Sequence, residues 1–416
     1  MSNILLTWAI ALCAVVGVVV RPFKWPEAVW VVAGAALLVV FGLLPVDAAI
    51  NAIGKGSDVY LFLIGMLLLA EVGRHEGLFD WVAVLAVNHA RGSPTRLFLL
   101  VYLTGTVVTI FLSNDATAVV LTPAVLGAAK KAHTNPLPLL FACAFIANAA
   151  SFVLPVSNPA NLVLYGNHMP ALAAWLERFA LPSLLSILGT CAVLHWTQWR
   201  ELAGRCRENL AQARLGASGR VALGGIAMTA LTLLVVSAFD IPLGLPTAVL
   251  GALTTAVVLQ SSGGSPWPLL KHVSWSVLPL VAGLFVLVET LDRSGVIRAF
   301  ASTLGKASAQ SQIGSASASA GLIAIASNLI NNLPAGLIAS STLVQAHAPQ
   351  RVVDAVLIGV DIGPNLSITG SLATILWLSA IRRENEEVGF WRFLKVGAQV
   401  MPPALILAVA ARMLVG

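Results

Sequence analysis

Uninterrupted apolar runs, repeated from one end of the chain to the other, limit its fold more than any other feature. A helix needs about 20 mostly apolar residues to cross a bilayer. Such runs lie near 4–20, 28–44, 59–72, 137–165, 179–198, 221–239, 244–259, 276–291, 352–379 and 396–415. Only 10% of the 416 residues are Asp, Glu, Lys or Arg, and 58% are hydrophobic, against roughly 25% charged in an ordinary soluble domain. So few charges cannot cover a soluble surface of this size, and the chain must be solvated mostly by lipid. Soluble enzymes, nucleic-acid binders and disordered scaffolds are excluded. The expected fold is an all-α polytopic membrane protein, and a multi-pass place in the cytoplasmic (inner) cell membrane is expected. The first basic residue, Arg21, follows the run Ile4–Val20, whereas a secretory signal carries its charge before the run. This run is therefore expected to be a retained helix.

Two further apolar stretches, 97–129 and 313–346, are interrupted at their middles by Ser113-Asn114-Asp115 and Asn331-Asn332-Leu333-Pro334. Polar backbone at membrane depth is tolerated only inside protein or beside water. Each stretch is therefore read as a re-entrant hairpin, which makes ten crossings and two hairpins. The segments 21–27, 73–96, 130–136, 199–220, 260–275 and 380–395 hold 17 of the 24 Lys and Arg. That bias places them in the cytoplasm and both termini outside. The richest of them, 199–220, is a basic cytoplasmic linker with room for a cytoplasmic partner to dock. The net charge of +6 thus marks orientation rather than affinity for nucleic acid.

The halves repeat. A shift of 218 residues superposes Gly65 on Gly283, Glu71 on Glu289, Gly77 on Gly295 and Asn114 on Asn332. Five residues fewer place Asn148 on Asp361 and Asn161 on Thr374. Residues 1–198 and 221–416 then hold five crossings and one hairpin each. Five is odd, so the second copy must be inverted. Inverted repeats with broken helices near the midplane are secondary-transporter architecture.

Four polar interruptions carry the chemistry: Ser113–Thr117, Pro155–Asn161, Asn331–Pro334 and Gly363–Thr374. A buried amide or hydroxyl without a partner costs about 1–3 kcal/mol, so something must hydrogen-bond these groups. Proline and glycine in the loops break the helices and free backbone groups to face a ligand. None of the four contains Lys, Arg or His, and hydroxyls with amides suit a small polyhydroxylated solute. Asp115 and Asp361 touch the loops; an ionisable group at this depth is a functional candidate, and proton exchange is the natural role. Glu71 and Glu289 are read as structural groups near the membrane edges. Cys13, Cys143, Cys191 and Cys206 share no CxxC spacing, so neither a disulfide framework nor a metal site is expected. Only Cys143 lies near the proposed centre, and one thiol makes no three-coordinate trap for a thiophilic metalloid. There is no HExxH and no Walker lysine motif, so neither proteolysis nor ATP hydrolysis by this chain alone is expected, and no cofactor is.

The segments Leu112-SNDATAVVLTP-Ala124, Ala144-FIANAASFVLPVSNPAN-Leu162, Ser327-NLINNLP-Ala335 and Asp361-IGPNLSITGSLATILWL-Ser379 resemble the arsenite/antimonite permease family of the ion transporter superfamily. The last is the most specific, and the similarity runs over essentially the whole chain. The resemblance implies efflux of trivalent arsenite and antimonite, as neutral trihydroxides, against proton influx, conferring metalloid resistance. It also implies an elevator motion and, in some relatives, a cytoplasmic arsenite-stimulated ATPase, here placed at the 199–220 linker. Matched to the family motifs, Asn114, Thr117, Ser157, Asn158, Asn161, Asn331, Asn332, Asn365, Ser371 and Thr374 become substrate-binding candidates, with Asp115 and Asp361 for protons. Where some relatives have an acid in the first broken helix, this chain has Asn148, which moves the proton role onto those two. The alternative within the superfamily is a sodium/proton antiporter or a sodium-coupled carboxylate transporter.

Overall fold

The computed structural model describes residues 2–166, 169–207, 210 and 214–415. Helix makes up 81% of the structure and there is no strand among the described residues. In the first half, α1 (Ser2–Val20) and α2 (Glu27–Val40) precede α3 (Val46–Gly54) and α4 (Ser57–His75), a pair bent by 51°, and then α5 (Leu78–Ala90). The chain runs along α6 (Pro94–Leu112) and turns back through α7 (Asn114–Ala116), a π-helical turn (Thr117–Leu121) and α8 (Thr122–Lys131). The helices α9 (Leu137–Ala149) and α10 (Pro159–Tyr165) flank an unwound stretch, and α11 (Leu172–Gln198) follows. The second half has α12 (Ala217–Ala238), α13 (Gly244–Ser262), α14 (Pro266–His272), α15 (Val277–Arg293), α16 (Val296–Gln310), α17 (Gln312–Ile330) and α18 (Asn332–Gln345). It ends with α19 (Gln350–Ile362), α20 (Leu372–Arg383) and α21 (Phe390–Leu414). Part of the basic linker, 208–209 and 211–213, lies outside the described residues.

Seven helices are long and apolar enough to cross a membrane, or eight if the bent pair is one span. The expected crossings 137–165 and 352–379 are not among them, since each is split into two short helices, and neither is α2, which has only 14 residues. Conversely, α6 and α17, the first arms of the expected hairpins, have 19 residues each and qualify by themselves. On α17 the exposed Leu322, Ile325 and Leu329 form a lipid-facing stripe, and Ala316, Ala320 and Ala324 are buried on the other side. Small side chains let backbones approach, and a Cβ on Gly359 of α19 would lie 2.5 Å from the Ala320 carbonyl oxygen.

Element boundaries recur at fixed offsets. Pro94 and Gln312 open α6 and α17, Leu112 and Ile330 close them, and each pair is 218 apart. The starts of α9 and α19, and of α10 and α20, are 213 apart. Positive φ recurs as well: Ser113 (φ 110°) matches Asn331 (φ 73°), and Gly77 (φ 71°) matches Gly295 (φ 87°).

Two packing groups hold the molecule. One joins α1, α2 and α15, and α4 with α12 and α13; α4 and α13 touch where a Cβ on Gly251 would meet Gly65 backbone at 2.6 Å. The other surrounds α9, whose 13 residues are all buried, with α6, α8, α11, α19 and α21 near it. Phe141, Phe145, Trp377 and Phe393 form its aromatic centre, with ring centroids 5.1–6.2 Å apart. The indoles also serve the broken helices, since Trp175 donates to the Phe152 carbonyl oxygen (3.2 Å) and Trp377 to that of Leu140 (3.0 Å).

Candidate functional site

The two broken helices meet at their breaks. Pro155 and Pro159 lie in the first break and Gly363 and Pro364 in the second, and proline removes a donor the helix would need. Each break receives a side chain from the other half. Asn158 Nδ2 donates to Asp361 Oδ1 at 2.5 Å. Asn148 Nδ2 donates to Asn365 Oδ1 (3.0 Å) and reaches Thr374 Oγ1 (3.4 Å), and Ser371 Oγ donates to Asn148 Oδ1 (3.3 Å). The exchange is reciprocal, because residues 148 and 361 are one offset apart and so are 158 and 371. One crossing is built on an amide and the other on an acid.

The hairpin tips dock on these breaks. Ser157 Oγ donates to the Ile110 carbonyl oxygen on α6 (3.0 Å), and Asn332 N–H donates to the Gly370 carbonyl oxygen (2.9 Å). Asn328, on α17, donates to the Gly363 carbonyl oxygen (2.9 Å) and accepts from Ser367 N–H (3.0 Å) and its hydroxyl (2.7 Å). A Cβ on Gly370 would lie 2.5 Å from Pro364 Cα and 2.7 Å from Asn328 Oδ1, so only glycine lets the break fold this tightly beside α17. Non-glycine residues at φ > 0 are strained and cluster at functional sites; here Ser113 and Asn331 turn the chain, and each accepts from a backbone N–H of the following helix.

Much of the polar inventory is spent within these loops. Asn161 Nδ2 lies within 2.9–3.3 Å of the carbonyl oxygens of Ser151, Leu154 and Pro155, stitching its own loop. Thr117 pairs with Thr109 at 2.8 Å and so faces α6. Asn114 Oδ1 accepts from Asp115 N–H (2.9 Å). Asn365 Nδ2 donates to the Phe145 carbonyl oxygen (3.0 Å), and Ser371 and Thr374 pair at 2.8 Å. Of the residues singled out from sequence, Asn158, Asp361, Asn365, Ser371 and Thr374 come together at the crossings, while Thr117 and Asn161 bond locally. Asn114, Asn331 and Asn332 are buried at the hairpin tips, and Ser157 lies in the first break.

Two buried oxygens at the site, Asp361 Oδ2 and Asn161 Oδ1, have no hydrogen-bond partner among the described residues. The hydroxyl of Ser151 lies beside Asp361 and also donates to the Asn148 carbonyl oxygen (2.8 Å). Asp115 is only partly buried and lines a cavity of about 40 Å³ with Ser113, Pro159, Glu71 and His272. Cys143 is fully buried on α9. Among the described residues no group of three or more His, Cys, Asp or Glu is placed to hold a metal ion.

Sequence reasoning missed Asn148 as a brace, although its alignment with Asp361 was the available signal. It also missed Asn328, and the buried pair of Arg412 with Asp354 (2.7 Å), where Asp354 also accepts from Tyr165 and Gln350 at 2.7 Å each.

An all-helical membrane fold with helices broken where two halves cross is that of a transporter, and comparison with known proteins agrees. The citrate transporter family model matches residues 10–381, so the chain belongs to that family, within the ion transporter superfamily. It is 26% identical over 389 residues to an uncharacterised transporter of Mycobacterium tuberculosis, covering 90% of each chain. It is 25% identical over 395 residues to the arsenical pump membrane protein of Yersinia enterocolitica, covering 91% of each. The crystal structure of the Alcanivorax borkumensis YdaH transporter superposes with a TM-score of 0.57 at 16% identity, over 90% of this chain and 89% of that one. That likeness extends to fold alone.

Proposed function

We propose that the protein is a secondary active carrier that exports trivalent arsenite and antimonite, as neutral trihydroxides, while protons move inward. The observation that carries this reading is the cation-free polar crossing in a chain that aligns over 91% of its length with an arsenical pump membrane protein. Hydroxyls, amides and freed backbone groups match a small polyhydroxylated neutral solute, which needs no Lys, Arg or His. Asp361 supports the proton role. Its carboxyl lies at the crossing with one oxygen unpartnered, and a proton there would allow it to donate.

In this reading residues 1–198 and 221–416 are inverted repeats, with hairpins at 97–129 and 313–346. The group around α9 and α19 slides against α2, α4, α13 and α15 as an elevator. The Lys- and Arg-rich side is cytoplasmic, in the inner membrane, and the 199–220 linker is the docking place for an arsenite-stimulated ATPase where one is present.

A second reading, a sodium-coupled carboxylate carrier, is favoured by the citrate transporter description of the family. Counterflow in vesicles containing only this protein separates the two. We expect arsenite and antimonite to exchange without sodium and citrate not to exchange; sodium-dependent citrate counterflow with no metalloid movement would reverse that assignment.

A further inference from the structure

The cavity beside Asp115 has a partner in the other half. A second cavity of about 220 Å³ is lined by Lys55, Val59, Phe285, Val288, Glu289 and Leu337. Subtracting the repeat offset turns Phe285 into Leu67, Val288 into Ala70, Glu289 into Glu71 and Leu337 into Val119, four residues of the first cavity. The two cavities are thus the same space on the two repeats, between α4 and the first hairpin and between α15 and the second.

They differ in what can carry a proton. At the hairpin tip, Asp115 corresponds to Leu333, and at the mouth His272 corresponds to Gly54. Only the first cavity therefore joins a hairpin-tip carboxyl to an imidazole. Its volume of about 40 Å³ is room for about one water molecule. His272 is exposed at the C-terminal end of α14, in the segment 260–275 on the Lys- and Arg-rich side. Glu71 is buried in the wall, and both its carboxylate oxygens are held by Arg74 (one contact at 2.8 Å).

We propose that this cavity is the proton exit from Asp115, with His272 as the acceptor at its mouth. The inference rests on the proton coupling proposed above. The O–H bond of the Asp115 carboxyl breaks, and its proton passes through water to a ring nitrogen of His272 and then to bulk. Asp115 is left as a carboxylate. Other charged groups and imidazoles on α4, and on the elements packed around it and around α7, are Asp58, Arg74 and His75 on α4, Asp80 and His89 on α5, Arg96 on α6, Arg220 on α12, Lys271 on α14, Glu289, Asp292 and Arg293 on α15, and Arg382 and Arg383 on α20. Neither α10, α13 nor the π-helical turn brings any.

The test follows the carboxyl band of Asp115 by infrared spectroscopy after a pH jump between about pH 5 and 8, with Asp115→Asn identifying the band. In His272→Asn, release should slow at least about tenfold and recover when imidazole is added to the medium. Asp292→Asn in the related cavity should change nothing. Release at the native rate in His272→Asn, slow release that imidazole does not rescue, or an Asp115 band that never titrates would each overturn the proposal. His272 is exposed, so its replacement does not threaten the fold. Proton release is read without cargo. It therefore stands apart from arsenite counterflow, whose absence in the native protein would remove the proposed cargo only.

Discussion

The two crossings of the broken helices are built on one plan and end in different chemistry. At one, the Asn148 amide is saturated: it donates toward Asn365 and Thr374 and accepts from Ser371. At the other, Asp361 accepts from Asn158 through one oxygen and leaves the second buried without a partner among the described residues. A satisfied amide braces two helices and has nothing left to exchange. A carboxyl with an idle oxygen can gain and lose a proton, and a buried unsatisfied group of this kind calls for an explanation beyond packing. In the reading proposed above, one crossing is thus a structural joint and the other a working one.

The largest effect should come from making the crossings alike. Asp361→Asn keeps the shape and an oxygen for Asn158, so counterflow at equal pH should stay within about threefold while gradient-driven exchange falls at least about 100-fold. Parallel flux assays in vesicles read both, and native coupling in the variant would remove Asp361 from the proton role. The reverse change, Asn148→Asp, replaces a donor with an acceptor facing Asn365 Oδ1. Leaving that acceptor unpaired should cost about 1–3 kcal/mol, seen as a lower melting temperature in detergent, and exchange should drop about tenfold. An unchanged melting temperature would show that the amide is not a brace.

Removing the partners should sharpen the contrast on a smaller scale. Ser371→Ala takes one bond of several from Asn148 and should cost about 1 kcal/mol, with transport within about threefold. Asn158→Ala strips Asp361 of its amide donor and should slow coupled exchange more than Ser371→Ala does; equal effects would argue that the crossings are equivalent. The smallest effect is expected of Cys143→Ser. A single buried thiol cannot make a three-coordinate metalloid site, so arsenite counterflow should change less than about twofold, and its loss would place the thiol in the binding site.

The all-helical membrane fold is legible in composition, because 58% hydrophobic residues with 10% charged leave no soluble solution. The turns at Ser113 and Asn331 are marked by polar residues in the middle of apolar runs, and the unwound stretches by Pro155, Pro159 and Pro364. What each polar side chain bonds to is decided by chain segments more than 200 residues away, as for Asn148 with Asn365 or Asn158 with Asp361, and no local pattern encodes that choice. Thr117 and Asn161 show the converse. Their residue types suit a ligand, but a nearby hydroxyl and three nearby carbonyls take them first. The Arg412–Asp354 pair escaped notice because the two residues are 58 apart and only the packing of α21 on α19 joins them.

The most direct measurement records proton and arsenite fluxes together in one vesicle preparation holding only this protein. The two fluxes should run in opposite directions at a fixed ratio that collapses in Asp361→Asn. Arsenite movement that carries no protons in the native protein, or an intact ratio in the variant, would contradict the assignment of the acid crossing as the working one.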